Sequence, residues 1–193
     1  VLHKEAQKCG LAALFHEKPF AGINGSGKHS NWSVQTDTGM NVFHPGKTEK
    51  ANELFVTGIA ALSHGLKEYN ELLRCAAASA GNDHRLGAQE APPAVISLYP
   101  GIGFEEHVDK IIAGGPLLGY DVKKTTADPR AATAMAAPRG SEDRNRTAPF
   151  PHCGNRFEFR AVGSSLNSWR PPRTRNVPMT AGLRAMTEKI EAG

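Results

Sequence analysis

One segment near the end of the chain, residues 155–162, restricts the possible folds more than any other. It reads Asn-Arg-Phe-Glu-Phe-Arg-Ala-Val, with charged and apolar side chains in strict alternation over residues 156–160. Because side chains alternate between the two faces of a strand, Phe157 and Phe159 should be buried together, opposite Arg156, Glu158 and Arg160. The charged face has two interpretations. It is either an ordinary solvated face or a carboxylate held between guanidiniums, as in sites where a metal ion lies beside phosphate.

Around this strand, the remaining elements do not alternate regularly between helix and strand. A helix should end at Gly10, and a second should begin at Glu49 behind the cap residue Thr48, with a break near Gly65. We therefore expect an α+β fold, an antiparallel sheet with flanking helices, rather than a doubly wound parallel sheet. Further strands are predicted at 11–16, 29–36 and 94–98, loops at 80–93 and 114–143, and helices at 104–112 and 179–190.

Length and composition fit one ordinary globular domain. The chain has 193 residues, of which 39% are hydrophobic and 22% charged. Its apolar runs are too short to span a membrane, and no targeting segment is visible. The three widely spaced cysteines follow no zinc pattern and suggest structural thiols in a reducing compartment. We expect a cytoplasmic protein, or an organellar one if a transit peptide precedes this sequence.

The net charge of +4 raises the question of a polyanionic partner. Much of the excess lies in the tail, where Arg170, Arg173 and Arg175 surround Pro171-Pro172. Only Trp169 is nearby, whereas nucleic-acid surfaces usually interleave such charges with aromatic residues. We therefore expect no nucleic-acid partner. A solvated tail, or arginines that meet the phosphates of a small ligand, fits better.

A glycine-rich segment, Gly22-Ile-Asn-Gly-Ser-Gly-Lys-His29, nearly matches the phosphate-binding P-loop pattern. His29 stands where that pattern needs a magnesium-binding hydroxyl, and no amphipathic helix follows it. The P-loop interpretation is therefore rejected. What remains is a loop whose backbone can approach a ligand closely and which ends in an imidazole. That imidazole is either an ordinary surface histidine or a ligand.

Two further segments, 83–93 and 143–149, combine arginine with a nearby carboxylate in predicted loops. Each alone resembles a surface ion-pair cluster of small energetic value. Together with the glycine-rich loop and the 155–162 strand, they supply an imidazole, carboxylates and several arginines. A reaction on a substrate with several negative charges requires this combination.

These four segments, in this order, resemble type III glutamine synthetase. The similar strings are 16–33, 80–93, 143–150 and 154–165, and the similarity extends from residue 1 to about 165. After Ser165 the sequence departs from the apolar run that the family would have. The resemblance implies that residues 1–193 are part of a glutamine synthetase catalytic domain, with a long loop near 114–143 and a divergent tail.

The resemblance also implies roles for individual residues. His29 and Glu158 match ligands of the metal ion that bridges the nucleotide phosphates. Glu90 matches the flap glutamate that helps deprotonate ammonium, and Arg146 would face the transferring phosphoryl group. The remaining matches concern substrate: Asn24, Gly25, Arg85 and Arg160 for glutamate, and Asn31, Ser33 and Arg156 for the nucleotide.

The reaction implied is amidation of glutamate by ammonia at the expense of ATP, through γ-glutamyl phosphate and with Mg²⁺ or Mn²⁺. The resemblance further implies a homo-oligomer whose sites lie between subunits. The alternative is a truncated or non-catalytic derivative that binds nucleotide or subunits without turnover. Because several metal-binding glutamates of the family do not occur in this sequence, we expect the isolated chain to form no glutamine.

Overall fold

The computed structural model describes residues 1–88, 91–116, 125–127, 137–139, 148–167 and 169–193. Five helices and six short strands lie in these ranges. The helices are α1 (Leu2–Lys8), α2 (Glu49–Ala77), α3 (Ala80–Arg85), α4 (Ile102–Ile112) and α5 (Arg170–Glu191). The strands are β1 (Ser30–Trp32), β2 (Leu98–Tyr99), β3 (Thr125–Ala127), β4 (Ala137–Arg139), β5 (Phe150–Pro151) and β6 (Phe157–Phe159).

The strands form three two-stranded ladders. β1 pairs with β6 and β3 with β4 in antiparallel fashion, whereas β2 and β5 are parallel. In the β1–β6 ladder, Ser30 lies opposite Phe159, Asn31 opposite Glu158, and Trp32 opposite Phe157. This mixture of helices with a small antiparallel sheet confirms the predicted α+β class.

An aromatic core lies against one face of the β1–β6 ladder. Phe157 and Phe159 have no exposed surface, which confirms the alternation predicted for this strand. The Phe43 ring meets Phe157 edge-on with centroids 4.9 Å apart, and the Phe150 ring stacks on Phe157 at 5.6 Å. Such contacts favour one arrangement of the rings and so fix the position of the ladder. The opposite face of the ladder stays accessible and polar.

The long helix α2 begins as predicted. The Thr48 hydroxyl accepts a hydrogen bond from the amide of Ala51 at 3.3 Å, which satisfies one otherwise unpaired donor of the first turn. The break predicted near Gly65 lies one turn later: the helix continues through Gly65 and loses helical geometry at Tyr69 (φ −117°, ψ 23°). Gly65 has a packing role instead: a Cβ there would lie 1.8 Å from the Pro178 carbonyl oxygen of α5.

Three other local predictions need correction. Residues 11–16 form no strand, and Leu11 and Phe15 are 66% and 60% exposed, so this apolar run pairs with no neighbouring strand. Residues 80–85 form α3 rather than a loop, because the Ser79 hydroxyl caps the helix at the amide of Asn82. In the predicted strand 94–98, only Leu98 belongs to a ladder, together with Tyr99.

The last helix begins earlier than predicted, at Arg170 instead of Met179. Pro171 and Pro172 stand in its first turn, where the missing amide hydrogens would have no partner within the helix. Most of the predicted excursion 114–143 lies outside the described residues, although β3 and β4 form a short antiparallel ladder within it. Across the described ranges, no helix is both long and apolar enough to cross a bilayer. The three cysteines are free; Cys153 is buried, but Cys9 and Cys75 are exposed.

Candidate functional site

His29 and Glu158 meet on the polar side of the β1–β6 ladder. His29 directly precedes β1, and its Nδ1 lies 2.8 Å from Glu158 Oε1. The other carboxylate oxygen of Glu158 accepts a hydrogen bond from Arg160 Nε at 3.1 Å and lies 3.1 Å from an Arg160 Nη. The structure therefore brings together an imidazole, a carboxylate and a guanidinium that are distant in the sequence. His29 and Arg160 are 131 positions apart.

The environment of Glu158 favours its ionised form. Burial of the carboxylate raises its pKa, but the charge and hydrogen bond of Arg160, with a smaller contribution from His29, more than offset this. The pKa of Glu158 therefore lies below the usual range of a glutamate. An ionised carboxylate beside an imidazole is a donor set that suits a divalent cation.

Asn31 and Arg156 continue this surface on the same side of the ladder. Arg156 Nε donates to Asn31 Oδ1 at 2.9 Å, and its Nη1 donates to Asn155 Oδ1 at 3.1 Å. Both Asn31 and Arg156 are exposed. Their polar groups are therefore fixed relative to each other and open to a ligand.

Ser33 lies one strand repeat beyond Asn31 and is held by a residue that the sequence did not single out. Its hydroxyl donates to Asn41 Oδ1 at 2.6 Å, while Asn41 Nδ2 donates to the Asn155 carbonyl at 2.8 Å. Asn41 thus connects the two candidate nucleotide segments. An asparagine in a turn is too common for the sequence alone to indicate such a role.

Arg85, the last residue of α3, is buried and is not part of a surface ion-pair cluster. It is only 2% exposed. Its Nη2 donates to the Arg160 carbonyl at 3.1 Å and its Nη1 donates to Asn82 Oδ1 at 3.0 Å. Burial lowers the pKa of this guanidinium, and the charge of Glu17 partly opposes the change. Arg85 therefore joins the site through the backbone of Arg160.

The glycine-rich loop lies directly over Arg85. A Cβ on Gly25 would lie 2.7 Å from Arg85 Cγ, and a Cβ on Gly27 would lie 2.3 Å from an Arg85 Nη. This close approach to Arg85 leaves no room for a Cβ at either position. Asn24, at the outer end of the loop, is exposed. Beside the loop, an open cleft of about 520 Å³ is bordered by residues 18–22, His84 and Ala88.

Beneath the loop, sequence reasoning missed the buried carboxylate of Glu17. It is 5% exposed and accepts hydrogen bonds from the amide of Ser165, at 3.0 Å, and from the Ser165 hydroxyl. Burial raises its pKa, but the Ser165 hydrogen bonds and its own backbone amide more than offset this, so the pKa is lowered overall. Glu17 stands between His16 and Lys18, so the local sequence resembles an exposed polar segment and gives no signal of burial.

Two candidate residues, Glu90 and Arg146, lie outside the described residues. The others form a continuous set that extends from the glycine-rich loop across Arg85 and Arg160 to Glu158, His29, Asn31 and Arg156. Within the described ranges, no three His, Cys, Asp or Glu side chains cluster closely enough to share an ion. The described part of the site is therefore a polar strand face that combines one imidazole, one carboxylate and several guanidiniums.

Comparisons with known proteins point to one family. Residues 1–97 match the family model for the glutamine synthetase catalytic domain. The chain is 42% identical to the type-3 glutamine synthetase of Dictyostelium discoideum, over 98% of this chain and 26% of that protein. It is 44% identical to glutamine synthetases of Bacteroides fragilis and Butyrivibrio fibrisolvens, over 86% of this chain and 23% of each of them.

The chain therefore belongs to the glutamine synthetase catalytic-domain family. The resemblance to type III enzymes that four segments indicated is confirmed. The chain spans about a quarter of the length of the curated relatives it matches.

Proposed function

We propose that this chain is part of an enzyme that amidates glutamate with ammonia, using ATP and a γ-glutamyl phosphate intermediate. One observation carries the proposal. His29 and Glu158 meet at 2.8 Å, with Arg160 on the second carboxylate oxygen, on a strand face that also exposes Asn31 and Arg156. Nucleotide, cation and amino-acid substrate would thereby share one surface.

The residues present fit a divalent cation such as Mg²⁺ or Mn²⁺. His29 and Glu158 would hold it, because an imidazole nitrogen and a carboxylate oxygen this close can bind one ion. When bound, the cation would neutralise phosphate charge during phosphoryl transfer. Arg160 keeps the Glu158 carboxylate ionised and oriented, which is a contribution of this chain itself.

For the nucleotide, we propose Arg156, Asn31 and Ser33 as contacts. The Arg156 guanidinium is held on two sides by amide oxygens and remains exposed, so it can meet phosphate oxygens with little loss of side-chain freedom. The Ser33 hydroxyl is fixed by Asn41 in the same way. Arg146 is proposed to face the transferred phosphoryl group, and this part of the proposal comes from the family resemblance.

For glutamate, we propose Asn24, Gly25, Arg85 and Arg160. Arg160 is 5% exposed and lies between Glu158 and the loop above Arg85. Because the Arg85 guanidinium already donates to Asn82 and to the Arg160 carbonyl, its contribution would be positive charge beneath the loop and a fixed position for Arg160. Glu90 is proposed to close over the site and to help deprotonate ammonium.

A chimeric enzyme tests the proposal directly. Residues 1–193 would replace the corresponding part of the Dictyostelium protein, which aligns with 98% of this chain. We expect glutamine formation that depends on ATP, glutamate, ammonia and Mg²⁺ or Mn²⁺, and its loss on Glu158→Gln. The unaltered Dictyostelium protein serves as the positive control, and sedimentation would show whether the chimera forms the proposed homo-oligomer.

The outcomes separate the two interpretations of this chain. A folded, assembled chimera that binds Mn²⁺-ATP but forms no glutamine would support a non-catalytic derivative. A folded chimera that binds no nucleotide would overturn both. Assignment of residues 1–193 to a partial catalytic domain would be supported if the chimera assembles like its parent.

A further inference from the structure

The terminal helix α5 is packed against α2 unusually closely. A Cβ on Gly65 of α2 would lie 1.8 Å from the Pro178 carbonyl oxygen, and a Cβ on Gly182 of α5 would lie 1.8 Å from the Ala61 carbonyl oxygen. The helices can therefore approach this closely only because each presents a glycine where the other's backbone passes. Two such contacts leave α5 little freedom to slide or rotate, so its side chains are delivered to fixed positions.

One of these side chains, Arg175, reaches the strand that leads out of the candidate metal site. Its Nη1 donates a hydrogen bond to the Ser30 hydroxyl, and its guanidinium carbon lies 5.2 Å from the centroid of the Trp32 ring. Ser30 and Trp32 are the first and last residues of β1. A guanidinium over an indole face is a favourable cation–π contact, and it is stronger when shielded from water. Burial lowers the pKa of Arg175, which fits a partly desolvated position.

Strand alternation gives this contact its significance. Ser30 and Trp32 lie on the core-facing side of β1, since Trp32 is 8% exposed and lies opposite the buried Phe157. Asn31 therefore lies on the other side, opposite Glu158, and His29 reaches the same side to bond Glu158. Arg175 thus contacts the core-facing side of β1, whereas the candidate ligands lie on its opposite side.

We propose that Arg175 is a positioning residue that holds β1 in register on β6, and with it His29 and Asn31 beside Glu158. The proposal deepens the proposed function and rests on it for its consequence in catalysis. A three-residue strand has few ladder hydrogen bonds of its own, so an added hydrogen bond and ring contact at its two ends make up a large part of its support. Arg175 touches no proposed substrate and would act only through the strand.

A second arginine–tryptophan pair, at the start of α5, provides a matched control. The Arg173 guanidinium carbon lies 4.9 Å from the centroid of the Trp169 ring. Trp169 is 50% exposed, however, and Arg173 is exposed, so this contact supports no strand of the site. Loss of Arg173 removes one positive charge and one cation–π contact from the same helix without touching β1.

The test compares Arg175→Gln, Arg175→Lys and Arg173→Gln in the 193-residue chain by amide hydrogen exchange. We expect Arg175→Gln to speed exchange in residues 30–32 and 157–159 by about tenfold, the effect of losing one hydrogen bond to a charged group. Exchange in α2 should stay unchanged. Arg175→Lys keeps the cation over Trp32 but loses the planar fork, so its exchange rate should lie between those of the parent and Arg175→Gln. Arg173→Gln should match the parent.

Binding of Mn²⁺-ATP to the same variants of the chimera with the Dictyostelium protein measures the functional consequence. We expect weaker metal-dependent binding in Arg175→Gln, whose binding of ATP without metal should be unchanged. Arg173→Gln should bind Mn²⁺-ATP like the parent. Equal exchange in Arg175→Gln and Arg173→Gln would overturn the positioning role, as would faster exchange spread evenly through α2. If the parent chimera binds no Mn²⁺-ATP, the proposed function loses support, while the exchange data still decide whether Arg175 holds β1.

Discussion

His29 and Glu158 form a hydrogen bond of 2.8 Å although 129 positions separate them in the chain. The antiparallel β1–β6 ladder creates this proximity, because it places Asn31, two residues after His29, directly opposite Glu158. Arg160 occupies the other oxygen of the same carboxylate. Any cation at this position would therefore be held by side chains from two separate segments, and the ladder would have to be intact to hold it.

The first prediction tests whether the two residues share one cation. In the chimera with the Dictyostelium protein, His29→Ala and Glu158→Ala should each weaken Mn²⁺-dependent binding of ATP by about tenfold or more, the range seen when ligand support is lost. The loss of affinity in the double variant should be smaller than the product of the two single losses. Once the first ligand is gone, the second has little left to hold. Isothermal titration with Mn²⁺-ATP would measure all four proteins.

Binding of ATP without metal is the control for this cycle. His29 and Glu158 are bonded to each other, so they can be coupled even when no ion is present. Coupling that appears only with Mn²⁺ assigns it to a shared ion. Losses that multiply, or one variant that binds like the parent, would remove the shared-metal assignment and favour an ordinary surface histidine beside a strand carboxylate.

A second prediction concerns the buried carboxylate of Glu17. Its pKa is lowered in the folded protein, so the unfolded chain binds a proton more readily than the folded one. The stabilisation from this group should be fully present above the unfolded-state pKa, near 4.3, and should be lost as pH falls through the lower folded-state pKa. Glu17→Gln keeps the shape and an acceptor for Ser165 but removes this dependence.

Denaturant unfolding at several pH values checks this expectation. At neutral pH, Glu17→Gln should be less stable than the parent by about 1–3 kcal/mol, because Arg85 loses a nearby opposite charge and a charged hydrogen bond becomes neutral. The difference should shrink as the pH falls below about 4. A constant difference at every pH would show that Glu17 contributes by packing alone. Replacement of the exposed Glu188 by Gln is a suitable control.

Much of the fold followed from local patterns. The alternation in residues 155–162 predicted which face of β6 is buried, and Thr48 predicted the start of α2, since strand burial and helix capping are both decided within a few residues. Predictions failed where tertiary contacts override local preference. The helix break predicted near Gly65 lies one turn later, at Tyr69, and Gly65 itself permits close packing against α5. Residues 11–16 have strand composition but find no pairing partner among the described residues.

The candidate site was predictable only in part, for the same reason. The motif residues could be named from four segments, and the structure brings His29, Glu158 and Arg160 into contact. The supporting residues could not be named. Asn41, Asn82 and Arg175 act through hydrogen bonds to residues that lie 114, 79 and 145 positions away in the chain: Asn155, Ala161 and Ser30, respectively. No local pattern encodes such pairs.

The third prediction addresses Arg146, which lies outside the described residues. In the chimera with the Dictyostelium protein, Arg146→Lys should lose most turnover while assembly and thermal stability stay unchanged. Lysine keeps the charge but lacks the planar fork that grips two phosphoryl oxygens. Steady-state kinetics would show a fall in kcat larger than the rise in KM for ATP. Turnover within about twofold of the parent would instead indicate a surface ion pair.

The last prediction concerns the glycines that bring α5 onto α2. Gly182→Ala places a Cβ 1.8 Å from the Ala61 carbonyl oxygen, and Gly65→Ala places one 1.8 Å from the Pro178 carbonyl oxygen. Both obstacles are backbone atoms, so the helices must move apart. Each variant should lose about 1–3 kcal/mol of unfolding free energy. Gly58→Ala is the matched comparison on α2. Its new Cβ would lie 2.3 Å from Val42 Cγ1 and 3.2 Å from the Val42 carbonyl oxygen, so this variant should also lose stability, but it leaves the contact between α2 and α5 in place.

Separated helices would also withdraw Arg175 from β1. The two α2–α5 variants should therefore weaken Mn²⁺-ATP binding under conditions where they remain folded, and Gly58→Ala should do so less. Chemical denaturation gives the stability, and titration at low temperature gives the binding. If Gly182→Ala and Gly65→Ala unfold like the parent, the close approach of α2 and α5 is not required for stability. If they lose stability but bind Mn²⁺-ATP normally, the packing of α5 on α2 does not affect the positions of His29 and Glu158.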